Sequence, residues 1–260
     1  MYPLQSRPAT DVLVETRGEV TLAAPDYARA KLLAVLDRVD EPVLAARVKL
    51  TQEPNPAVAR PALAQAVVDL NGRPVRAHVA AATMQEAIDL LQDRLNARIA
   101  RVRRHRDHHR HHGTAPDAGG DRAERGHRPQ RRDRHGEDRR IVRHKSYTLA
   151  RQTVWEAVLE LEAMDYDFHL FTDAASGRDS VVHRDTADGY RLATAAPRAE
   201  PVPGLPTSTI GAPELATADA VTRLDLSGLP FVFFTDAETG RGHVLYHRYD
   251  GDYGLITPVL

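Results

Sequence analysis

Apolar residues recur along this chain with two periods, and the changes from one period to the other mark out its elements. Asp11-Val12-Leu13-Val14-Glu15-Thr16 alternates as a short strand does. Ala28, Leu32, Val35, Leu36 and Val39 then recur at helical spacing, after Pro25, suited to a first helical turn, and Asp26, which puts an acid there. Glu41-Pro42 stops that helix. Val43 to Leu50 reads as a second strand and Gln52 to Pro56 as a loop. Ala62 to Leu70 and Pro74 to Ala80 flank Asn71-Gly72-Arg73, a hairpin signal. Thr83 with Glu86 three residues on is a capping box, and Met84, Ile88, Leu91, Leu95, Ile99 and Val102 keep one apolar face over roughly five turns. The order β-α-β-β-β-α predicts an α+β fold over residues 1–104, a two-layer domain with both helices on one face of the sheet.

From His105 to Arg140 the periodicity disappears and large apolar residues are almost absent. Such a segment cannot bury enough surface to order itself, so 105–140 is expected to be a disordered, basic, His/Arg-rich linker. A flexible chain of that length spans on the order of 30–36 Å.

Periodicity resumes at Ile141 to Tyr147, which reads as a strand; Thr153 then caps a helix carrying Val154, Val158, Leu161 and Met164, with Trp155 as packing. From Phe168 onward the chain repeats itself. FHLFTDAASGRDSVVHRDTADGYRLAT from Phe168 returns as FVFFTDAETGRGHVLYHRYDGDYGLIT from Phe231, offset by 63 residues without gaps. Phe168/Phe231, Phe171/Phe234, Thr172/Thr235, Asp173/Asp236, Gly177/Gly240, Arg178/Arg241, Val181/Val244, Tyr190/Tyr253, Leu192/Leu255 and Thr194/Thr257 are among its identical pairs. Each copy reads as strand, turn, strand, turn, strand, with Asp173 and Asp236 as turn formers and glycine where a positive φ is needed. The proposed boundaries are 141–196 for copy 1, 197–213 for a Pro-rich connector and 214–260 for copy 2. In copy 2, Thr217 is expected to cap a shorter helix containing Val221, Leu224 and Leu226.

A three-stranded meander needs cover on both faces. A helix supplies one cover and another sheet, or the sister copy, the other, giving two small β-rich domains of β-α-β-β-β type. With the sister copy as that cover, Phe168 and Phe171 are expected to face Phe231, Phe233 and Phe234 across a repeat-pairing interface that Tyr246 joins. For Tyr246 and Tyr253 the simpler reading is packing.

Charge divides the chain further. Residues 101–140 hold 13 Arg against 7 acids plus 7 His; residues 1–100 balance at 12 of each sign; residues 141–260 hold 10 basic and 17 acidic groups. A basic centre beside an acidic end suggests a polyanion partner for the middle. On the second helix Arg94, Arg98 and Arg101 form one basic stripe, which Arg103 and Arg104 extend into the linker. A solvated helix face is the plain reading; guanidinium pairing with phosphate is the functional one. His105/His109 and His108/His112 have metal-pair spacing, and His111 lies beside them, yet no carboxylate stands as in a zinc-enzyme motif and the arginines would repel a cation; no metal and no cofactor are expected. The 260 residues contain no cysteine, so no disulfide or thiolate chemistry enters. MYPLQSRPAT has no apolar core typical of a leader, and no run of about 18 apolar residues occurs, so a cytoplasmic, membrane-free protein is expected.

IVRHKSYTL, WEAVLELEAMDYDF, LFTDAASG and the ending YHRYDGDYGLITP resemble the C-terminal domain of the long form of the ribosome hibernation-promoting factors, a ribosome-associated inhibitor and sigma-54 modulation protein family. The β-α-β-β-β-α order, KLLAVLDR and MQEAIDLLQDRLNARI resemble its N-terminal domain. The duplicated C-terminal domain is similar to that of actinobacterial hypoxia-type factors. The resemblance implies a non-enzymatic protein that binds the small ribosomal subunit near the decoding region. There it would meet 16S ribosomal RNA and ribosomal proteins, block the mRNA and tRNA sites and silence translation during stress or dormancy. It also implies rRNA contact by Lys31 and Arg38 on the first helix and by Arg94, Arg98 and Arg101 on the second, with Arg103 and Arg104 alongside. The family normally carries one C-terminal domain, which homodimerises. Two copies in one chain imply that pairing within the molecule is favoured over self-association, so that single ribosomes would be held. The alternative is a general structured-RNA or DNA-binding regulator without ribosome specificity. An enzyme is disfavoured by the absence of a phosphate loop, a nucleophile elbow or a metal signature.

Overall fold

The computed structural model describes residues 11–55, 57–111, 128–129, 139–185, 189–198 and 200–259, with the side chains of 105–111 excepted. Most of the expected 105–140 linker, including His112, thus lies outside the described residues. The described part forms two compact units: one runs to Arg106 and takes in Arg128, Pro129 and Ala163–Asp165, and the other holds the remainder.

In the first unit β1 (Val12–Arg17), α1 (Ala24–Leu36), β2 (Val43–Gln52), β3 (Ala62–Leu70), β4 (Arg73–Ala81) and α2 (Met84–His111) follow the predicted order. The sheet order is β1-β2-β3-β4, with β1 and β2 parallel and the other neighbours antiparallel. A parallel pair needs a crossover, and α1 is that crossover. Alternate strand residues (Val48, Leu50; Ala64, Ala66, Val68; Val75, Ala77, Val79) meet Ala28, Leu32, Val35 and Leu36 of α1 and Ile88, Leu91, Leu95 and Ile99 of α2 in one core. Small alanines on β3 and β4 let both helices lie close on the sheet. Asn71 and Gly72, with φ of 52° and 83°, make the two-residue hairpin that joins Leu70 to Arg73. Thr83 Oγ1 accepts the Glu86 backbone N–H at 3.2 Å, which caps α2. α2 extends to His111, beyond the boundary expected at 104, because nothing in RRHRDHHRH breaks a helix.

The second unit contains β5 (Ile141–Tyr147) and two copies of one motif. Copy 1 is β6 (Arg151–Gln152), α3 (Val154–Ala163), β7 (Phe168–Asp173), β8 (Asp179–Arg184) and β9 (Tyr190–Thr194). Copy 2 is β10 (Glu214–Leu215), α4 (Thr217–Ser227), β11 (Phe231–Asp236), β12 (Gly242–His247) and β13 (Tyr253–Pro258). Their registers coincide under the 63-residue shift: Phe168 pairs with His183 as Phe231 pairs with Tyr246, and Arg151 with Thr172 as Glu214 with Thr235. Asp173 accepts from Ser176 and Asp236 from Thr239, and Gly177 and Gly240 follow at φ of 67° and 66°. The turn-forming role expected of both aspartates is what the structure has.

Two expectations change here. α4 begins after Ala216, which makes no side-chain cap bond, so Thr217 does not cap it. Ala216 and Asp219 stand where copy 1 has the Thr153–Glu156 box, in which the Thr153 N–H donates to Glu156 at 2.8 Å. Leu226 is 84 % exposed, since it points away from the face on which Ala220 and Leu224 are buried.

The segment before each copy pairs with the last strand of the other. β5 runs parallel to β13, placing His144 opposite Leu255, so the sheet order is β10-β11-β12-β13-β5. Thr207, in the Pro-rich connector, bridges in parallel to Leu192 of β9. Ser208 N–H donates to the Leu192 carbonyl at 2.9 Å and Leu192 N–H to that of Pro206 at 3.0 Å. Both members of the second pairing return those of the first when shifted by 63. The segment 141–147, expected to belong to copy 1, thus completes the sheet of copy 2. Among the described residues no helix is long and apolar enough to cross a membrane.

Candidate nucleic-acid interface and repeat interface

α1 and α2 carry the basic residues singled out in the sequence, and the structure sorts them by environment. Arg38, just past α1, and Arg104 are exposed, and Arg101 and Arg103 are half-buried. Arg103 Nη2 donates to Asp40 at 2.6 Å, and Glu41 lies 3.7 Å from its Nε, so this guanidinium ties α2 to the end of α1. Lys31 Nζ lies 2.8 Å from Asp89 on α2 and 5.2 Å from the Tyr27 ring centre, while Tyr27 donates its hydroxyl to the same carboxylate at 2.7 Å. The hydrogen bond to Asp89 raises the Lys31 pKa and depresses that of Asp89.

Arg94 and Arg98 are placed otherwise than a solvent-facing stripe requires. They are 4 % and 1 % exposed, and both donate to Asp165, at 3.1 and 2.6 Å. Arg128 donates to the same oxygen at 2.9 Å. Helical spacing puts Arg94, Arg98 and Arg101 on one face, but a face is solvated only where nothing packs against it. An arginine at this burial is held by a carboxylate because the bare charge would be costly. Sequence reasoning did not single out Asp165; its only local mark is a φ of 53° in a non-glycine residue, which no sequence motif announces. The side chains of His105, His108, His109 and His111 lie outside the described residues.

The repeat interface is built from one face of each sheet. Leu149, Leu170, Val181, Phe233, Val244 and Ile256 form its core, with Phe168, Phe231 and Tyr246 packed on it. The Phe168 and Phe231 ring centres are 4.6 Å apart; Phe168 meets Tyr246 at 5.5 Å and Phe231 meets His183 at 5.4 Å. The last two contacts exchange under the 63-residue shift, so the copies are related by a pseudo-twofold.

Phe171 and Phe234 are not in this cluster. Phe171 lies with Val158 and Leu161 under α3, and Phe234 with Ala220 and Leu224 under α4. Side chains on a strand alternate between faces, so Phe168 and Leu170 share one side while His169 and Phe171 share the other. Grouping 168 with 171 applies a helical spacing to a strand.

Asp179 is a further interface residue that the sequence reading passed over. It accepts Arg241 Nε at 2.8 Å, Nη2 at 3.2 Å and the Gly242 backbone N–H at 2.9 Å. Its signal was present in the repeat alignment, where Asp179 stands opposite a glycine while its neighbours Arg178 and Arg241 are identical.

Both units have counterparts among known proteins. The family described as sigma 54 modulation protein / S30EA ribosomal protein matches residues 14–107. The family described as sigma 54 modulation/S30EA ribosomal protein C terminus matches twice, at 136–192 and 205–255. Each of those matches takes in the exchanged segment that precedes the short strand of the copy, 141–147 in the first and Thr207 in the second. A dormancy associated translation inhibitor of Mycobacterium tuberculosis is 46 % identical over 143 residues, covering 50 % of this chain and 52 % of that protein. A ribosome hibernation promotion factor of Bradyrhizobium diazoefficiens is 28 % identical over 123 residues, covering 46 % and 54 %. The chain thus spans about half the length of the curated relatives it matches. The crystal structure of the Thermus thermophilus Protein Y N-terminal domain aligns with 36 % of this chain and 98 % of its own, at 30 % identity and a TM-score of 0.29.

Proposed function

Because the chain belongs to the sigma 54 modulation protein / S30EA ribosomal protein family, we propose that it is a ribosome hibernation factor acting in the cytoplasm. In this reading the first domain binds the small ribosomal subunit near the decoding region, occupies the mRNA and tRNA sites and stops translation during stress or dormancy. The observation that carries it is the order of the matches, an N-terminal family description followed by the C-terminal one twice over. Relatives named as a dormancy associated translation inhibitor and as a ribosome hibernation promotion factor support the inhibitory sense.

The chemistry required is occlusion: no bond is made or broken. Phosphates of 16S ribosomal RNA would meet the exposed Arg38 and Arg104 first, with the half-buried Lys31, Arg101 and Arg103 behind them and ribosomal proteins at the rim. Arg94 and Arg98 would join them by exchanging the Asp165 carboxylate for phosphate, a swap between two acceptors of the same geometry.

The repeat bears on stoichiometry. A tether of 197–213 holds the copies at an effective concentration on the order of millimolar, above that of a second molecule in dilute solution. The sheet faces are then engaged within one chain, and the factor idles single ribosomes.

Co-sedimentation with purified ribosomes over a salt series tests both parts. Small-subunit binding that weakens steeply with salt and is reduced at least tenfold by Arg38/Arg101/Arg104→Glu is expected. Equal affinity for free duplex RNA would instead favour a general RNA-binding regulator, and a dominant paired-ribosome peak would remove the single-ribosome reading.

A further inference from the structure

The pseudo-twofold is broken where Asp179 of copy 1 meets Gly242 of copy 2. Asp179 and Gly242 are equivalent under the 63-residue shift, yet they face each other across the interface, the carboxylate of one on the backbone N–H of the other. A Cβ at residue 242 would lie 2.7 Å from the Asp179 Cβ and 2.8 Å from Cε2 of Phe233. Only glycine fits there while Asp179 and Phe233 keep their places.

The same imbalance runs through the cluster. Leu170 of copy 1 answers to Phe233 of copy 2, Ala193 to Ile256 and His183 to Tyr246; at each position copy 2 carries the larger apolar group. Copy 1 answers with the charged Asp179 where copy 2 has nothing beyond backbone.

We propose that the two copies have become unlike partners, each presenting a surface that accepts the other copy and rejects its own kind. Pairing copy 1 with copy 1 would set Asp179 against Asp179 and leave space beside Leu170 and Ala193. Pairing copy 2 with copy 2 would crowd Phe233, Ile256 and Tyr246 together and leave Arg241 and the Gly242 N–H without the carboxylate that holds them. Selection therefore comes from misfit in the wrong pairs as well as fit in the right one. A second molecule could enter only by reciprocal exchange, copy 1 on copy 2 twice over. This inference rests on packing alone and holds whether or not the ribosome is the target.

A mirror-exchange cycle in the full chain tests it, read by thermal unfolding without ribosomes. Leu170→Phe/Asp179→Gly makes copy 1 resemble copy 2, and Phe233→Leu/Gly242→Asp does the reverse. Each pair is expected to lower the unfolding midpoint of the second unit by on the order of 5–10 °C. The four changes together rebuild the contact in mirror image, with Arg178 placed to take the role of Arg241, and are expected to recover more than half of the summed loss. A fourfold variant whose loss equals the sum of the two pairs would overturn the proposal. If either pair gives no folded protein, Leu170→Phe and Phe233→Leu, alone and combined, run the same cycle, with additivity again the adverse result.

Discussion

Phe168 and Phe231 stand 63 residues apart at the same position of two sequence copies, and their rings meet at 4.6 Å with a 36° tilt. A residue in contact with its own equivalent lies on the pseudo-twofold, so this pair, like Asp179 and Gly242, reports the pairing of the copies directly. Each ring is half-buried, so truncating either to alanine is expected to cost about 2 kcal/mol, below the 3–5 kcal/mol of a fully buried phenylalanine. Because the two share one contact, the double variant is expected to cost about 1 kcal/mol less than the sum, measured by urea unfolding of the full chain. Strict additivity would mean that the rings do not touch in solution.

The elements of the first unit were legible because nothing competes with local pattern there. Every apolar position assigned to the core of α1, from Ala28 to Val39, is buried, and Asn71-Gly72 turns where its backbone preference says it should. In the second unit local pattern ran out at β5. Strand propensity identifies Ile141 to Tyr147, but which sheet it joins is a long-range choice, and the repeat alone does not say that the arms are exchanged. The basic face was half legible for a similar reason. The spacing of Arg94, Arg98 and Arg101 is read directly, whereas the carboxylate that occupies two of them lies about 70 residues on in sequence. Phe171 was misassigned for a different reason, since period-2 alternation was in the sequence and decides its side.

Gly254 lies beneath the Tyr246 ring, where a Cβ would come within 2.3 Å of Cζ. Phe168 packs against the same ring at 5.5 Å between centres, which limits its retreat. Gly254→Ala is expected to destabilise the second unit by about 2 kcal/mol, as overpacking does. Adding Tyr246→His, which installs the residue copy 1 has at that position, should return most of the loss. Unchanged chemical denaturation in the single variant would show the ring free to move.

The helix of copy 2 lacks the cap that copy 1 keeps. Thr153 and Glu156 satisfy each other's backbone N–H groups at 3.3 and 2.8 Å, while Ala216 and Asp219 leave the start of α4 without a side-chain cap. The Ala216 backbone is already extended, at φ −72° and ψ 155°, the conformation an N-cap requires. Ala216→Thr with Asp219→Glu is therefore expected to stabilise copy 2 by about 1 kcal/mol, with no loss in ribosome co-sedimentation. A neutral result in thermal unfolding would imply that water caps this helix equally well.

Acid should weaken the second unit in two stages. His169 and His243 are buried and His183 is half-buried, and desolvation lowers the pKa of each below the usual 6.5. A depressed histidine stays neutral in the fold while the unfolded chain takes up protons, so its contribution is present above pH 6.5 and falls away as pH drops below it. Asp173 and Asp236 give the second stage. Burial works to raise both, but the hydrogen bonds from Ser176 with the Arg198 charge, and those from Thr239, outweigh it and hold each carboxyl below the usual 3.8. Their contribution is present above pH 3.8 and is lost as pH falls through the lower folded value. Urea midpoints are therefore expected to fall between pH 7.5 and 5, and again between pH 4 and 2.5. Asp173→Asn/Asp236→Asn should be less stable than the native chain by about 1–3 kcal/mol at pH 7.5 and converge towards it at pH 2.5. A constant gap across that range would mean that the two turns do not depend on ionised carboxylates.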